Sequence, residues 1–128
     1  MVQAEFDGKK MTDDELRAFF VLLAVAANDT TRHASAHPIY TFSKFPDQKQ
    51  LLIEDIPGRI DTAVEEVLRW SSPLLHMRRT ATQDVTLNGS EIKAGDNVVL
   101  WYISGNRDEA VFENPFTFDI LRNPNPHI

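Results

Sequence analysis

The sequence predicts a mainly α-helical chain with one small antiparallel β-sheet, and three observations carry that prediction. A helix-start signal at residues 12–15 precedes a long apolar run over residues 19–27. A second stretch, residues 60–70, sets its apolar side chains at helical spacing. Beyond it the pattern changes to period two around an Asn88-Gly89 turn. At 128 residues, 42% hydrophobic and 25% charged, the chain has the size and balance of one globular domain or of a piece of a larger one.

Thr12 is placed to cap the first helix while Glu15, three residues on, reaches back to it, and Asp13 and Asp14 suit the positive end of its dipole. This long helix is expected over about residues 13–37, with Pro38 arguing for a stop or kink. Apolar residues fill nearly every position of 19–27, which predicts burial on several sides. "KFPDQKQLLIED" reads as a short helix entered through Pro46, and "IPGR" as a break. Ile60, Val64, Val67 and Leu68 define a helix over about 60–71, with Pro73 close behind as a stop.

Val85, Leu87 and Ile92 alternate around the Asn88-Gly89 turn, a second turn follows at Ala94-Gly95-Asp96, and residues 98–102 complete a sheet placed at about 78–102. Residues 103–128 read as loop, with Phe112, Phe116 and Phe118 as its expected anchors on the core. "RNPNPHI" is too rich in Pro and Asn for regular structure. Domains usually finish on an element that packs, so residues 1–128 are expected to form a single incomplete domain.

Composition removes several function classes. Thirteen Lys and Arg face nineteen Asp and Glu, a net charge of -6, so nucleic acid is not the main partner. With no Cys, disulfides and Cys-ligated zinc are excluded. Of the four His, only His33 and His37 stand four apart, and they lack the intervening Glu of an H-E-x-x-H motif, so no metal site is expected. No apolar run approaches the roughly 20 residues of a membrane span. The first ten residues lack the apolar core of a signal peptide, which places the expected protein in the cytoplasm.

The apolar run breaks into Asn28, Asp29, Thr30, Thr31 and Arg32 with no Gly or Pro to end the helix. A buried carboxylate there costs several kcal/mol unless paired, so either the helix emerges into solvent or the polar residues serve chemistry. Thr hydroxyls in helices often bond back to the carbonyl four residues earlier. Asp29 with His33 one turn on is the minimal set for a small acid–base enzyme, though equally a solvated contact. Glu66 and Arg69 share a helical face. Arg122 is a lone loop cation with few local anions, and Glu66 is a candidate partner for it.

In this order "AANDTT", "EEVLR" and "PFTFDILR" resemble the distal-helix motif, the E-x-x-R helix and the P-x-x-F-x-x-x-R loop of cytochrome P-450, the haem-thiolate monooxygenases. The resemblance covers residues 11–128. "NDTTR", "FPDQ", "AVEEVLRW", "SGNRDEAVF" and "RNPNPH" are most similar to bacterial members that hydroxylate sterol side chains and methyl-branched lipids.

The resemblance implies a C-terminal-half piece of the cytochrome P-450 fold, haem as cofactor, a lipid-like small-molecule substrate, and electrons from a ferredoxin-type donor. Asp29 matches the acid that gates proton delivery and Thr30 the alcohol of oxygen activation. Ala26 and Ala27 fall beside the haem, with Ala27 standing where the family usually has Gly. Arg79 matches the cation on a haem propionate, with Arg78 as the alternative. Glu66, Arg69 and Arg122 match a structural triad that locks the loop before the proximal ligand.

That ligand is a Cys shortly after the "NPH" segment in the family, whereas here His127 and Ile128 are the last residues and no Cys occurs. Thiolate push is then missing from these residues, and His127 or His76 would give imidazole-type ligation. The expected reading is a fragment of a haem-dependent monooxygenase, inactive alone. Its alternative is a non-catalytic truncated remnant or binding module, recognisable by exposed apolar surface.

Overall fold

A computed structural model describes residues 5–6 and 8–128. Strands β1 (Glu5–Phe6) and β2 (Lys9–Lys10) pair antiparallel ahead of three consecutive helices, α1 (Asp13–Lys44), α2 (Pro46–Glu54) and α3 (Ile56–Ser71). Strands β3 (His76–Thr80), β4 (Val85–Leu87), β5 (Ser90–Ile92) and β6 (Asn97–Trp101) follow, then a single helical turn α4 (Tyr102–Gly105) and an irregular C-terminal segment. The fold class is mainly α with small antiparallel sheets.

α1 starts where its cap dictates. Thr12 Oγ1 accepts the Glu15 backbone N–H at 3.3 Å, and Glu15 Oε2 accepts the Thr12 N–H at 2.8 Å. The expected stop at Pro38 does not occur: α1 runs on to Lys44. An internal proline costs about 3 kcal/mol. The last turns offset that cost because Thr41 is buried and Phe42 meets Phe118 edge-on at 5.7 Å.

Burial of the apolar run is also corrected. Val21, Leu22 and Val25 are 65–67% exposed, and Thr41 is the buried residue of α1. α2 and α3 carry the core that the end of α1 completes, and among the described residues nothing covers the run at 19–27.

"IPGR" is not a break but the first turn of α3. Asp55 Oδ1 accepts the Gly58 N–H at 3.1 Å, and Pro57 sits in the first turn, where a missing N–H removes no intrahelical bond. A Cβ on residue 58 would stand 2.2 Å from Asp55 Oδ2, so glycine leaves room for the capping carboxylate. Only part of the α3 apolar stripe is covered. Ala63 and Val67 are buried, while Ile60 and Val64 stay exposed.

In place of one sheet there are two separate ladders between residues 76 and 101. β4 and β5 form a hairpin with Leu87 opposite Ser90, turning through Asn88 and Gly89, both at positive φ. β6 turns away from β5 and pairs with β3, His76 opposite Trp101 through to Thr80 opposite Asn97. The crossing is closed by Ala81 N–H to Asp96 O at 2.9 Å and Gly95 N–H to Ala81 O at 2.8 Å.

The core is small: Ala63, Val67, Phe118 and Ile120, packed by Phe42, Phe45, Leu51, Leu52 and Trp70. Phe45, Trp70 and Phe118 lie 5.3 to 5.6 Å apart, ring centre to ring centre. Of the expected loop anchors, Phe112 and Phe118 are buried. Phe116 is 68% exposed and anchors nothing, because the adjoining Pro115 and Thr117 carbonyls turn inward instead.

Candidate functional site

α3 delivers Glu66 and Arg69 onto one buried face, three residues apart, both fully enclosed. A carboxylate and a guanidinium without water must find all their partners inside the protein. They do. Glu66 Oε1 accepts from Arg69 Nη2 at 2.8 Å and the Asp119 backbone N–H at 3.0 Å. Glu66 Oε2 accepts from Arg69 Nε at 2.8 Å, Arg122 Nε at 3.1 Å and Asn125 Nδ2 at 3.1 Å.

Arg69 spends its other N–H groups on main-chain carbonyls: Asn106 O at 2.8 Å, Pro115 O at 2.9 Å and Thr117 O at 3.1 Å. All five guanidinium donors are thus used. Arg122, 10% exposed, also donates to Glu113 O at 2.7 Å, Thr117 O at 3.0 Å and Asn114 O at 3.2 Å. Two cations share one carboxylate, and the converging carbonyl dipoles balance the surplus positive charge. The cluster ties the loop 106–125 to α3.

Arg107 extends this network. Its Nη1 and Nη2 donate to Arg69 O at 3.2 Å and Trp70 O at 2.8 Å, capping the C-terminal carbonyls of α3, and its guanidinium lies 4.6 Å from the Trp70 ring centre. Burial first, and then the neighbouring Arg69 charge, lower the Arg107 pKa from its ordinary value, against the opposing pull of Glu66.

The second group lies on α1, apart from the cluster. Thr30 is half-buried, and its Oγ1 donates to Ala26 O at 2.6 Å. Asp29 is exposed and accepts from Arg32 Nη2 at 2.7 Å. Ala26 and Ala27 are exposed small residues on the turn before. His33 and His37 stand edge to face, ring centres 6.3 Å apart, and no cluster of three metal-ligating side chains occurs among the described residues. Arg79 is exposed on β3, where Nη1 donates to Arg78 O at 3.0 Å. The structure therefore brings Glu66, Arg69 and Arg122 together and leaves Asp29, Thr30, Ala26, Ala27 and Arg79 outside that cluster.

Donor chemistry decides how far these residues fit a haem. Ala26 and Ala27 are small and exposed and would leave room for a flat ring, and the remaining Arg79 donors, which have no partner among the described residues, would suit a carboxylate edge. No thiolate is available among these residues, since the sequence contains no Cys. The His76 ring centre lies 4.8 Å from that of Trp101, and His127 Nε2 is 2.6 Å from Glu65 Oε2. Ala26, Ala27 and Arg79 are the residues that would meet a haem, and none of them would ligate its iron.

Sequence reasoning missed Asn106, Arg107 and Gln48, whose Oε1 accepts the Ile120 N–H at 3.0 Å. Asn106 is fully buried, with its Nδ2 on Ser72 Oγ at 2.9 Å. Their partners are mostly backbone groups, which leave no mark in the residue pattern.

The cytochrome P450 family model matches residues 1–125. The chain is 50% identical, over all its 128 residues, to the methyl-branched lipid omega-hydroxylase of Mycobacterium tuberculosis. It is 42% identical, again over its whole length, to the steroid C26-monooxygenase of Rhodococcus jostii. It spans 30% and 26% of the lengths of these two relatives. Among solved structures, a Mycobacterium marinum cytochrome P450 in complex with pseudoionone superimposes with a TM-score of 0.91 at 50% identity, over 98% of this chain and 30% of that one. A Bacillus megaterium cytochrome P450 in complex with testosterone gives 0.90 at 38% identity, over 98% and 34%.

Proposed function

We propose, from the premise that this chain belongs to the cytochrome P450 family, that it supplies the distal helix and the ion-paired scaffold of a haem-dependent monooxygenase hydroxylating a lipid- or sterol-like substrate. The observation that carries the reading is the acid–alcohol pair Asp29–Thr30 placed directly after an exposed apolar helix face.

Haem, when bound, supplies activation of O2; the chain's own residues manage protons and water around it. The Thr30 hydroxyl rests with its proton on Ala26 O at 2.6 Å, which leaves Oγ1 lone pairs free to accept. Asp29 carries and releases a proton at its carboxylate once it swings from Arg32, a solvated pair held by at most about 1 kcal/mol. Apolar residues 19–25, covered by further protein, keep water from the same face. Arg79 holds a propionate through its unengaged donors. Glu66, Arg69 and Arg122 act at a distance, by fixing the loop. A ferredoxin-type protein delivers the electrons.

The test is a chimaera in which residues 1–128 replace the matching segment of the M. tuberculosis relative. The reading predicts a haem-loaded protein that hydroxylates a methyl-branched lipid. A folded, haem-loaded chimaera with no hydroxylation of any lipid or sterol substrate overturns it.

The exposure of Val21, Leu22 and Val25 favours a second reading for the isolated chain, a non-catalytic piece that binds a complementary segment. It predicts strong binding of an apolar dye by residues 1–128 alone and a shallow thermal transition; a sharp two-state melt without dye binding contradicts it.

A further inference from the structure

Residues 125–128 are pinned by two groups outside the Glu66–Arg69–Arg122 cluster as well as by the cluster itself. Asn125 Nδ2 reaches Glu66. His127 Nε2 stands 2.6 Å from Oε2 of Glu65, the neighbouring residue on α3, and the His127 N–H closes onto Asn125 O at 2.9 Å. The Ile128 N–H donates to Asn106 Oδ1 at 2.9 Å, while Asn106 Nδ2 holds Ser72 Oγ beyond the end of α3. Asn106 is fully buried, so its amide has no water to turn to. The Ile128 side chain passes over Gly105, where a Cβ would stand 2.8 Å from Ile128 Cδ1, and remains 68% exposed.

Main-chain bonds alone do not place this strap, because residues 123–128 belong to no helix or strand. Its register is set by side chains from α3 and from the turn after α4. An irregular segment held by three side chains is fixed in both position and direction, since each bond addresses a different residue. Asn125 Oδ1 and His127 Nδ1 are buried with no hydrogen-bonding partner among the described residues, so the strap also presents two acceptor or donor atoms inward.

We propose that Asn106 and Glu65 form a latch, distinct from the Glu66 cluster, that sets the direction in which the backbone reaches Ile128. In the haem-monooxygenase reading, on which this functional consequence rests, they are positioning residues for the proximal side of the haem.

The test uses the chimaera described above, with hydrogen exchange read by mass spectrometry on peptides covering residues 120–128, α3 and residues 113–119, and with the visible spectrum of the reduced, CO-bound haem. Glu65→Ala alters a half-exposed side chain and keeps the fold. Asn106→Ala removes both buried amide bonds. Each variant is expected to raise exchange at residues 125–128 roughly five- to tenfold, the loss of about one net hydrogen bond. Exchange in α3 and at 113–119 stays unchanged, and part of the haem moves from thiolate-type to non-thiolate absorption. Unchanged exchange at 125–128 in Glu65→Ala and Asn106→Ala overturns the latch, as does an equal rise throughout α3, which would make the strap part of one cooperative unit. Unchanged absorption alongside a loosened strap overturns the positioning role. If the unsubstituted chimaera takes up no haem, the monooxygenase reading fails, and the exchange data still decide the latch.

Discussion

Arg122 donates from Nε to Oε2 of Glu66 at 3.1 Å across 56 residues of sequence. That contact is one of several that join the C-terminal loop to the middle of α3, and it falls on a carboxylate with no solvent exposure. Its strength follows from what surrounds it: Glu66 also accepts from Arg69, Asp119 and Asn125, so no member can leave without stranding another.

Removing the carboxylate charge should therefore be severe. Glu66→Gln leaves two guanidinium groups facing an amide, and the expected loss is about 3–5 kcal/mol, enough to unfold a marginal chain. Urea denaturation of the haem-free chimaera measures it; a loss under about 1 kcal/mol would mean that the carbonyl dipoles alone hold the two cations.

Arg69→Lys should fail as a conservative change. Five donors in a planar fork become three on a point charge, so at least two of the contacts to Glu66, Asn106 O, Pro115 O and Thr117 O go unmade. A loss of about 2 kcal/mol or more, with raised hydrogen exchange at residues 113–119, is the expected result. Wild-type stability would show that charge, not geometry, is what the site needs.

At the head of α3, Gly58→Ala drives the new Cβ into Asp55 and displaces its capping carboxylate. The lost cap is worth about 1 kcal/mol. Asp55→Ala should cost a similar amount, and the double variant little more than either, because both remove the same bond. Additive losses in a denaturation series would contradict a shared origin.

The N-terminus of α1 should loosen in acid. The Thr12 backbone N–H, and then the Thr12 hydroxyl, hold the Glu15 carboxyl below the usual carboxylate range. A depressed pKa in the folded state means that the capping contribution is present above the unfolded value of about 4.3 and fades as pH falls through the folded value. Amide exchange over residues 13–18 should accelerate on acidification beyond the intrinsic pH dependence, and Glu15→Gln, which removes the titrating carboxyl, should abolish that excess. Equal excess in both proteins would assign it elsewhere.

How much the residues reveal depends on how local the deciding interaction is. The start of α1 at Asp13 was legible because its cap lies within four residues, and the Asn88-Gly89 hairpin because its turn demands two positive φ values. The continuation of α1 past Pro38 was not, since Phe42 is held there by Phe118, 76 residues on. The pairing of β6 with β3 in preference to β5 is likewise a non-local choice. Phe116 read as an anchor from composition, yet its neighbours' carbonyls bind Arg69 and turn the ring outward.

For the site, a lone cation at Arg122 with few local anions pointed to Glu66, and charge pairing is a rule that sequence carries. The carbonyls around Arg69 belong to residues whose side chains say nothing about them. The roles of Asp29 and Thr30 came from resemblance, because an acid beside an alcohol at the end of an apolar run has no chemistry of its own until something binds against it.

The most direct measurement is therefore the ratio of hydroxylated lipid to electrons consumed in the chimaera carrying Thr30, Thr30→Ser or Thr30→Ala. If the Thr30 hydroxyl manages protons at the oxygen site, Thr30→Ser keeps most of the coupling. Thr30→Ala then lowers product per electron by about tenfold or more, in line with the loss of one positioned proton-handling group, while electron consumption continues. Equal coupling in all three proteins would contradict the assignment and leave the polar break in α1 as a helix meeting solvent.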